Sequence, residues 1–585
     1  MWIATWKSIV LVDPELVKST GIAEAVKMPY SGMYGGQFTI RIKVQNVAEK
    51  NCSFRIFPDD ELLAIRLNGR SISIEQLTTE EKRNYEAGFK FSIKGFSRDT
   101  ANVLEFDLKN SSGPAGFRIE PVYRISLAQR VAIVLALGLF GFFISGYLKI
   151  SAVQKILMLL GIVASVLYLS KTDIAARTFD VYEGGGHRDY IEYLINHHSF
   201  PNPGQGWEYH QPPLYYLIAA TAKETAHIKD ADGDLWAQLL SQMFWTVFIV
   251  SGFACLRIAL RSHKWALAFC SFALCMWPSG IIHSVRIGND VALYAFSGLG
   301  LFYMIKWWNR RRESSLYWTI VWVVLAVITK SSGLALAASL VLLFIIHFMR
   351  SLRYPEYLDN GRTATIRQSL ALGIALLVAL AINFGDNVYY YATGASRDWL
   401  LSNVSQSINE GLRVKNDLSS YLVFDTATFL QHPFMSTWVD EHGRQYFWNF
   451  FWRSSLSSEF SFDGTAFRWW GISNGIALLL MLSGCCIFVL QRSAVGGLKK
   501  SWQCSYKYLP WLCVAIFMMA LLLAFRIRTP LSCNSDFRYI YTVLLPVIAL
   551  AGIALRNWRK LPLAAAMSFA MILIGANTLW WLTLL

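Results

Sequence analysis

Charged side chains are scarce in this sequence. Only 16% of its 585 residues are charged, against 54% hydrophobic and 15% aromatic, and the mean hydropathy is +0.36. A soluble chain of this length would divide into several domains with far more charge, so that class is excluded. Acids are scarcer than bases, 39 against 54, for a formal net charge of +15. No basic stripe with interleaved aromatics accompanies the excess, which excludes a nucleic-acid partner. The bases sit between apolar runs, where Lys and Arg hold cytoplasmic loops in place. Cysteine offers no framework either. Six of the nine, Cys255, Cys270, Cys275, Cys485, Cys486 and Cys513, lie in apolar runs, and there is neither a CxxC nor a His/Cys zinc spacing. No internal repeat and no charged pair at mid-membrane suggests a transporter. The opening apolar stretch is short and Asp13 follows it, unlike a cleaved signal peptide.

What is present falls into two parts. Residues 1–125 alternate with period two at Phe38–Val44, Leu63–Leu67, Phe89–Ile93 and Leu104–Leu108, with turn signals such as Pro58-Asp-Asp60 and Asn68-Gly69 between them. This predicts a jelly-roll-like β-sandwich, read as a lid or docking platform without a ligand of its own. From residue 130 to 585 there are about twelve apolar runs: 131–148, 153–170, 235–256, 265–284, 289–306, 316–330, 333–349, 368–385, 471–490, 508–525, 538–555 and 562–584. Alternate loops between them are short and basic (Lys149, Arg261, Arg310–Arg312, Arg350, Lys499, Arg559) and are expected in the cytoplasm. The β-domain and the loops 171–234 and 386–470 are then external. The β-domain would be translocated by the first helix acting as a reverse anchor, or a start upstream of Met1 would supply the signal.

The 171–234 loop holds the densest group of ionisable residues, in FDVYEGGGHRDYIEYL (179–194) and HQPPLYY (210–216). Acids beside a membrane helix end are costly unless they line a path or a site. Residues 189–195 have helical spacing, and the Pro-Pro pair opens a second, surface-lying helix that ends near His227. Further polar turns stand at the ends of other runs on the same expected side: Arg286-Ile-Gly-Asn-Asp290, Thr329-Lys-Ser-Ser-Gly333 and Asp536-Phe-Arg-Tyr539.

These stretches, in this order and on one side, resemble the GT-C glycosyltransferases, and more narrowly the protein O-mannosyltransferase and aminoarabinose transferase branch. The similarity covers about 150–585. It implies a polytopic helical membrane fold of about twelve helices in a plasma membrane of the bacterial inner type, with the site on its periplasmic face. It also implies a polyprenyl-phosphate-sugar donor, an extracytoplasmic protein, lipid or glycan acceptor, and inverting transfer with an acid of the first large external loop as base. Asp180 has the family-like Phe-Asp-Val context, while Glu183 has the family's four-residue spacing to His187, so both stand as candidate bases.

The chemistry asks for these residue types. A carboxylate takes the proton of the acceptor, and cations near the headgroup plane neutralise the phosphate leaving group. Lys330 and Arg538 are the first donor-phosphate candidates, with Arg286 and Arg528 behind them. Arg538 has an alternative partner in Asp536, and Arg526 can snorkel. His187, Asp189, His210, Tyr215, Asn289 and Asp290 are the substrate-binding candidates, and Glu459 and Asp463 are further acids in the aromatic-rich 386–470 loop. The metal requirement is left open: a divalent cation held by His187, Glu183 and His283 has no diagnostic spacing. Two other functions use lipid-linked glycans, a flippase and an O-antigen-type ligase or polymerase.

Overall fold

The computed structural model describes all residues except 1–9, 27, 29, 33, 46–50, 60, 80, 84–87, 98–100, 111–114, 122–124, 173–185, 229–233, 354–360, 395–412, 434–442, 459, 461, 463, 496–505 and 558–560. Asp180, Glu183, Glu459 and Asp463 therefore lie outside the described residues. The chain divides into two compact units, one built on the strands of its first 126 residues and one on the helices from Leu127 onward; the stretch Thr221–Ala237 groups with the first.

The first unit contains β1 (Val10–Lys18), β2 (Ala23–Ala25), β3 (Tyr30–Gly32), β4 (Gly36–Gln45), β5 (Asn51–Pro58), β6 (Glu61–Leu67), β7 (Arg70–Ile72), β8 (Phe89–Lys94), β9 (Asn102–Asn110) and β10 (Ala115–Pro121). They form a six-stranded sheet of order β2-β1-β4-β9-β6-β7 and a four-stranded sheet of order β3-β10-β5-β8, with antiparallel pairing. The alternation read from the sequence is the cause. Phe38, Ile40, Ile42 and Val44 of β4 share one buried core with Leu104, Phe106 and Leu108 of β9 and with Phe54, Ile56, Phe89, Phe91 and Ile93 of the other sheet. The opposite face of β4, β9 and β6 carries charge. Glu105 accepts from Arg41 and Arg66 at 3.0 and 3.1 Å, and Asp107 accepts from Arg66 and from Thr39. Partial burial would raise the Glu105 pKa, but the two guanidiniums outweigh it and hold the carboxyl below its ordinary value.

The helices of the second unit begin with α1 (Leu127–Leu148), α2 (Ala152–Lys171), α3 (His187–His197), α4 (Leu214–Thr225), α5 (Leu235–Leu260), α6 (Lys264–Cys275), α7 (Pro278–His283), α8 (Asp290–Arg310) and α9 (Glu313–Val327). They continue with α10 (Leu334–Arg353), α11 (Gly361–Ala392), α12 (Leu418–Leu422), α13 (Thr426–Gln431), α14 (Phe447–Ser457), α15 (Thr465–Val495), α16 (Leu509–Arg528), α17 (Leu544–Asn557) and α18 (Leu561–Leu584). Among the described residues nine helices are long and apolar enough to cross a bilayer, which makes this a multi-pass membrane protein. The expected run 265–284 is broken: Trp277 is extended, and Pro278, which has no N–H to continue α6, starts α7. The run 316–330 gives the 15-residue α9. In α8 every residue from Asp290 to Ile305 is buried, as befits a helix surrounded by others. By contrast α11 exposes Ile366, Leu370, Ile374 and Leu377 along a lipid-facing side.

The two ends of the bundle differ in chemistry. At one end Arg311, just past α8, lies 4.0 Å over the Trp308 ring and donates to the Tyr506 hydroxyl ahead of α16. At the other end, the start of α8 meets the turn that follows α9, through an ion pair between Asp290 and Lys330.

Candidate active site

Three of the polar turns singled out in the sequence are bonded to one another, and the fourth packs against them. Asn289, the N-cap of α8, donates from Nδ2 to the Gln211 side chain and to the Thr329 carbonyl, both at 3.1 Å. Leu214 N–H at the start of α4 bonds to the Ile328 carbonyl at 3.1 Å, and Gly288 N–H donates to the Tyr215 hydroxyl at 3.1 Å. The segment 210–216 thus clamps the turns 286–290 and 328–330. From α11, Asn383 donates to the Val327 carbonyl at 2.7 Å and accepts from Ser331 at 3.1 Å.

At the centre Lys330 donates from Nζ to Asp290 Oδ1 at 2.6 Å, with 6% and 2% of the residues exposed. An ammonium has three donors and the carboxylate takes one. The Nζ also lies 5.1 Å over the Tyr539 ring, and the Arg538 guanidinium lies 5.0 Å from the same ring and donates to the Tyr539 hydroxyl at 3.2 Å. Two cations thus gather at one aromatic ring. Arg538 is also 3.8 Å from Asp536, the alternative partner the sequence offered. Its carbonyl is fixed by a relay whose donors run in one direction. Ser458 Oγ donates to His283 Nε2 at 3.1 Å, His283 Nδ1 to the Tyr294 hydroxyl at 3.3 Å, and Tyr294 to the Arg538 carbonyl at 2.8 Å. Arg286 is fully buried in the same turn as Asn289, and its carbonyl accepts from Ser241 at 2.6 Å.

His187 opens α3. Its Nδ1 is 2.8 Å from the Tyr216 hydroxyl and its Nε2 is 3.7 Å from Glu208, while Tyr190 stacks on Tyr216 at 4.0 Å. The ring is seated against Gly288, which has φ +150; a Cβ there would stand 2.9 Å from His187 Nε2. Both the backbone and the space require glycine. Gly288→Ala is accordingly expected to destabilise the protein by about 2–4 kcal/mol through backbone strain and overpacking, read as a lowered melting temperature in detergent; an unchanged melt would refute the packing described.

His210 donates from Nδ1 to the Trp207 carbonyl at 3.1 Å and accepts from Gln211 at 3.3 Å. Burial pushes its pKa down to about 4, with the Lys330 charge adding to that and the Trp207 bond opposing it. Burial also holds His187 well below its ordinary value, helped by the charges of Lys330, Arg286 and His210. Both rings are neutral at pH 7. Protons bind more readily to the unfolded chain between about pH 4 and pH 6.5, so stability is complete above that window and is lost as pH falls through it. Melting temperatures measured from pH 7.5 to 4.5 are expected to fall, and His210→Gln should remove on the order of 3 kcal/mol of that dependence.

Of the remaining sequence candidates, Asp189 lies half-buried on α3 beside Tyr209. Arg528 is exposed at the end of α16, while Arg526, expected to snorkel, is fully buried. Sequence reasoning missed Glu208, Gln211, Tyr216, Tyr294 and Asn383. An Asn within the apolar run of α11 was a readable signal, because an amide at membrane depth needs partners. Among the described residues no group of three or more His, Cys, Asp or Glu is placed to hold a metal ion.

Fold and site together define a multi-pass membrane protein with a cluster of polar turns around a buried Lys330–Asp290 ion pair. No family model matches the chain, and no curated protein matches it. Among solved structures it is similar to ArnT from Cupriavidus metallidurans in the apo state, at 14% identity over 73% of this chain and 78% of that one, with a TM-score of 0.30. It is similar also to the same protein bound to undecaprenyl phosphate, at 14% identity over 71% and 76%, TM-score 0.28. The arabinosyltransferase EmbB from Mycobacterium smegmatis is matched at 11% identity over 94% of this chain but 49% of that one, TM-score 0.39.

Proposed function

We propose that the protein is a membrane glycosyltransferase that moves a sugar from a polyprenyl-phosphate carrier to an extracytoplasmic acceptor. One observation carries the reading: four turns far apart in sequence converge so that Lys330, Arg538 and Asp290 meet beside Asn289 and His187 at one end of the bundle. Arg311 and Arg350, from two of the basic loops, meet Tyr506 at the opposite end of α8, which supports an external, periplasmic position for the site.

In this reading Asp180 or Glu183 accepts the proton as the acceptor oxygen attacks the anomeric carbon. The bond from that carbon to the phosphate oxygen breaks, and its electron pair leaves with the phosphate. Lys330 keeps two N–H donors beyond the one given to Asp290, and with Arg538 and Arg286 it neutralises the charge that develops. Asn289 Oδ1, buried and without a hydrogen-bond partner among the described residues, is suited to accept from a sugar hydroxyl.

The test uses purified protein in lipid nanodiscs, offered undecaprenyl-phosphate-linked pentose and hexose donors with envelope lipids and glycans as acceptors. Release of undecaprenyl phosphate with matching mass gain on an acceptor is the expected result. Movement of lipid-linked sugar between leaflets without any cleavage would replace this reading with a flippase.

A further inference from the structure

We propose that Arg526 forms a second anion site, separate from the Lys330 centre, which takes a phosphate-class oxyanion carried by the acceptor. The proposal rests on the transferase reading and adds a chemical class for the acceptor.

Arg526 has no exposed surface. Its Nε donates to Ser535 Oγ at 3.1 Å and its Nη2 to the Gln445 carbonyl at 3.4 Å, and its guanidinium lies 5.9 Å from the Tyr421 ring. Its Nη1 has no partner among the described residues, and neither has the buried Oε1 of Gln445. A guanidinium does not lose its proton in a protein. Buried without a counter-ion, such a charge is costly. No carboxylate among the described residues pairs with Arg526. Asp536, close by in sequence to Ser535, is turned to Arg538, whose N–H it accepts at 2.9 Å. The missing charge therefore points to a ligand.

The surroundings separate this site from the carrier centre. Lys330 and Arg538 converge on Tyr539, whereas Arg526 meets Ser535 and two residues, Tyr421 and Gln445, of the loop that runs from α11 to α15. That loop is tied down across the end of α16: Val414 N–H bonds to the Pro530 carbonyl at 3.0 Å and Asn416 to the Ile527 carbonyl at 2.9 Å. Arg444 and Arg453, both nearly buried, belong to the same loop. A lipid carrier brings its single phosphate to Lys330, next to the anomeric carbon. An oxyanion under the loop belongs to the other substrate, and Nη1 of Arg526, together with the second N–H of Nη2, suits the paired oxygens of a phosphate.

The experiment titrates nanodisc-held protein with inorganic phosphate and, separately, with undecaprenyl phosphate, following melting temperature and heat of binding. A Lys330→Met, Asp290→Asn variant removes the carrier centre and should keep the response to inorganic phosphate. Arg526→Gln should weaken that response about tenfold, while its affinity for undecaprenyl phosphate stays within about twofold of wild type. In transfer assays the same variant should raise KM for acceptor and leave KM for donor. Arg526→Lys keeps the charge without the fork; its phosphate affinity should fall between the two, and it serves as the comparison should Arg526→Gln not fold. An equal phosphate response in wild type and Arg526→Gln overturns the proposal. So does a loss of undecaprenyl phosphate affinity in Arg526→Gln matching that of the Lys330 variant, which would assign Arg526 to the carrier. Failure of the transferase reading looks different: wild type would bind no undecaprenyl phosphate, while its response to inorganic phosphate persisted.

Discussion

Asp180→Asn combined with Glu183→Gln is expected to lower sugar transfer by about 10²–10⁴-fold, the range for removing a general base. The amides keep the shape and hydrogen-bonding reach of the acids and lose only the ability to hold the acceptor proton. Each single variant decides between the two candidates: the one that carries most of the loss is the base, and the other belongs to binding. The loss should fall on kcat with both substrates saturating, and should shrink for acceptors whose nucleophile is already ionised, which need no base. Membrane yield and melting temperature should match wild type. Transfer persisting within a few-fold in the double variant would remove the 179–194 segment from the chemistry.

The second large effect concerns Lys330. Lys330→Met leaves Asp290 buried without its counter-ion and is expected to cost about 3–5 kcal/mol of stability, as breaking a buried pair does. Adding Asp290→Asn removes the stranded charge and should return most of that stability. Transfer should not return with it, because an amide and a thioether cannot neutralise a leaving phosphate. The pair of measurements separates the structural role of the ion pair from its role towards the substrate. A double variant that regains activity along with stability would show that Lys330 merely holds the turn in place.

Much of the architecture was readable because its causes are local. Alternation in Phe38–Val44 and Leu104–Leu108 fixes which face of β4 and β9 is buried, and these strands pair as neighbours. β1 escaped notice because Pro14 and Asp13 interrupt it. The structure accommodates them as a register shift between Val12 and Glu15, with Asp13 at φ 48. Hydropathy marked the apolar run 265–284 but not its interruption, since Trp277 and Pro278 are apolar as well. The four polar turns were readable as candidates from residue type and order. Their mutual bonds, such as Asn289 to Thr329, were not, because they join segments 40 residues apart. Arg526 and Arg528 show the limit most plainly. Two residues along a helix is a rotation of about 200°, so one faces inward and the other outward, and the sequence alone gives no sign of which.

The burial of α8 has a mechanical consequence. A rod touched by lipid is free to shift and tilt as the bilayer thins or thickens, but α8 is packed by protein along almost its whole length, and Asn289 and Asp290 stand at its tip. The depth of the end that carries Asn289 and Asp290 is therefore set by the scaffold, and membrane thickness has little leverage over it. Strain from the surrounding lipid should be absorbed by the loosely packed α11, which holds the centre through the side chains of Asn383 and Asn387.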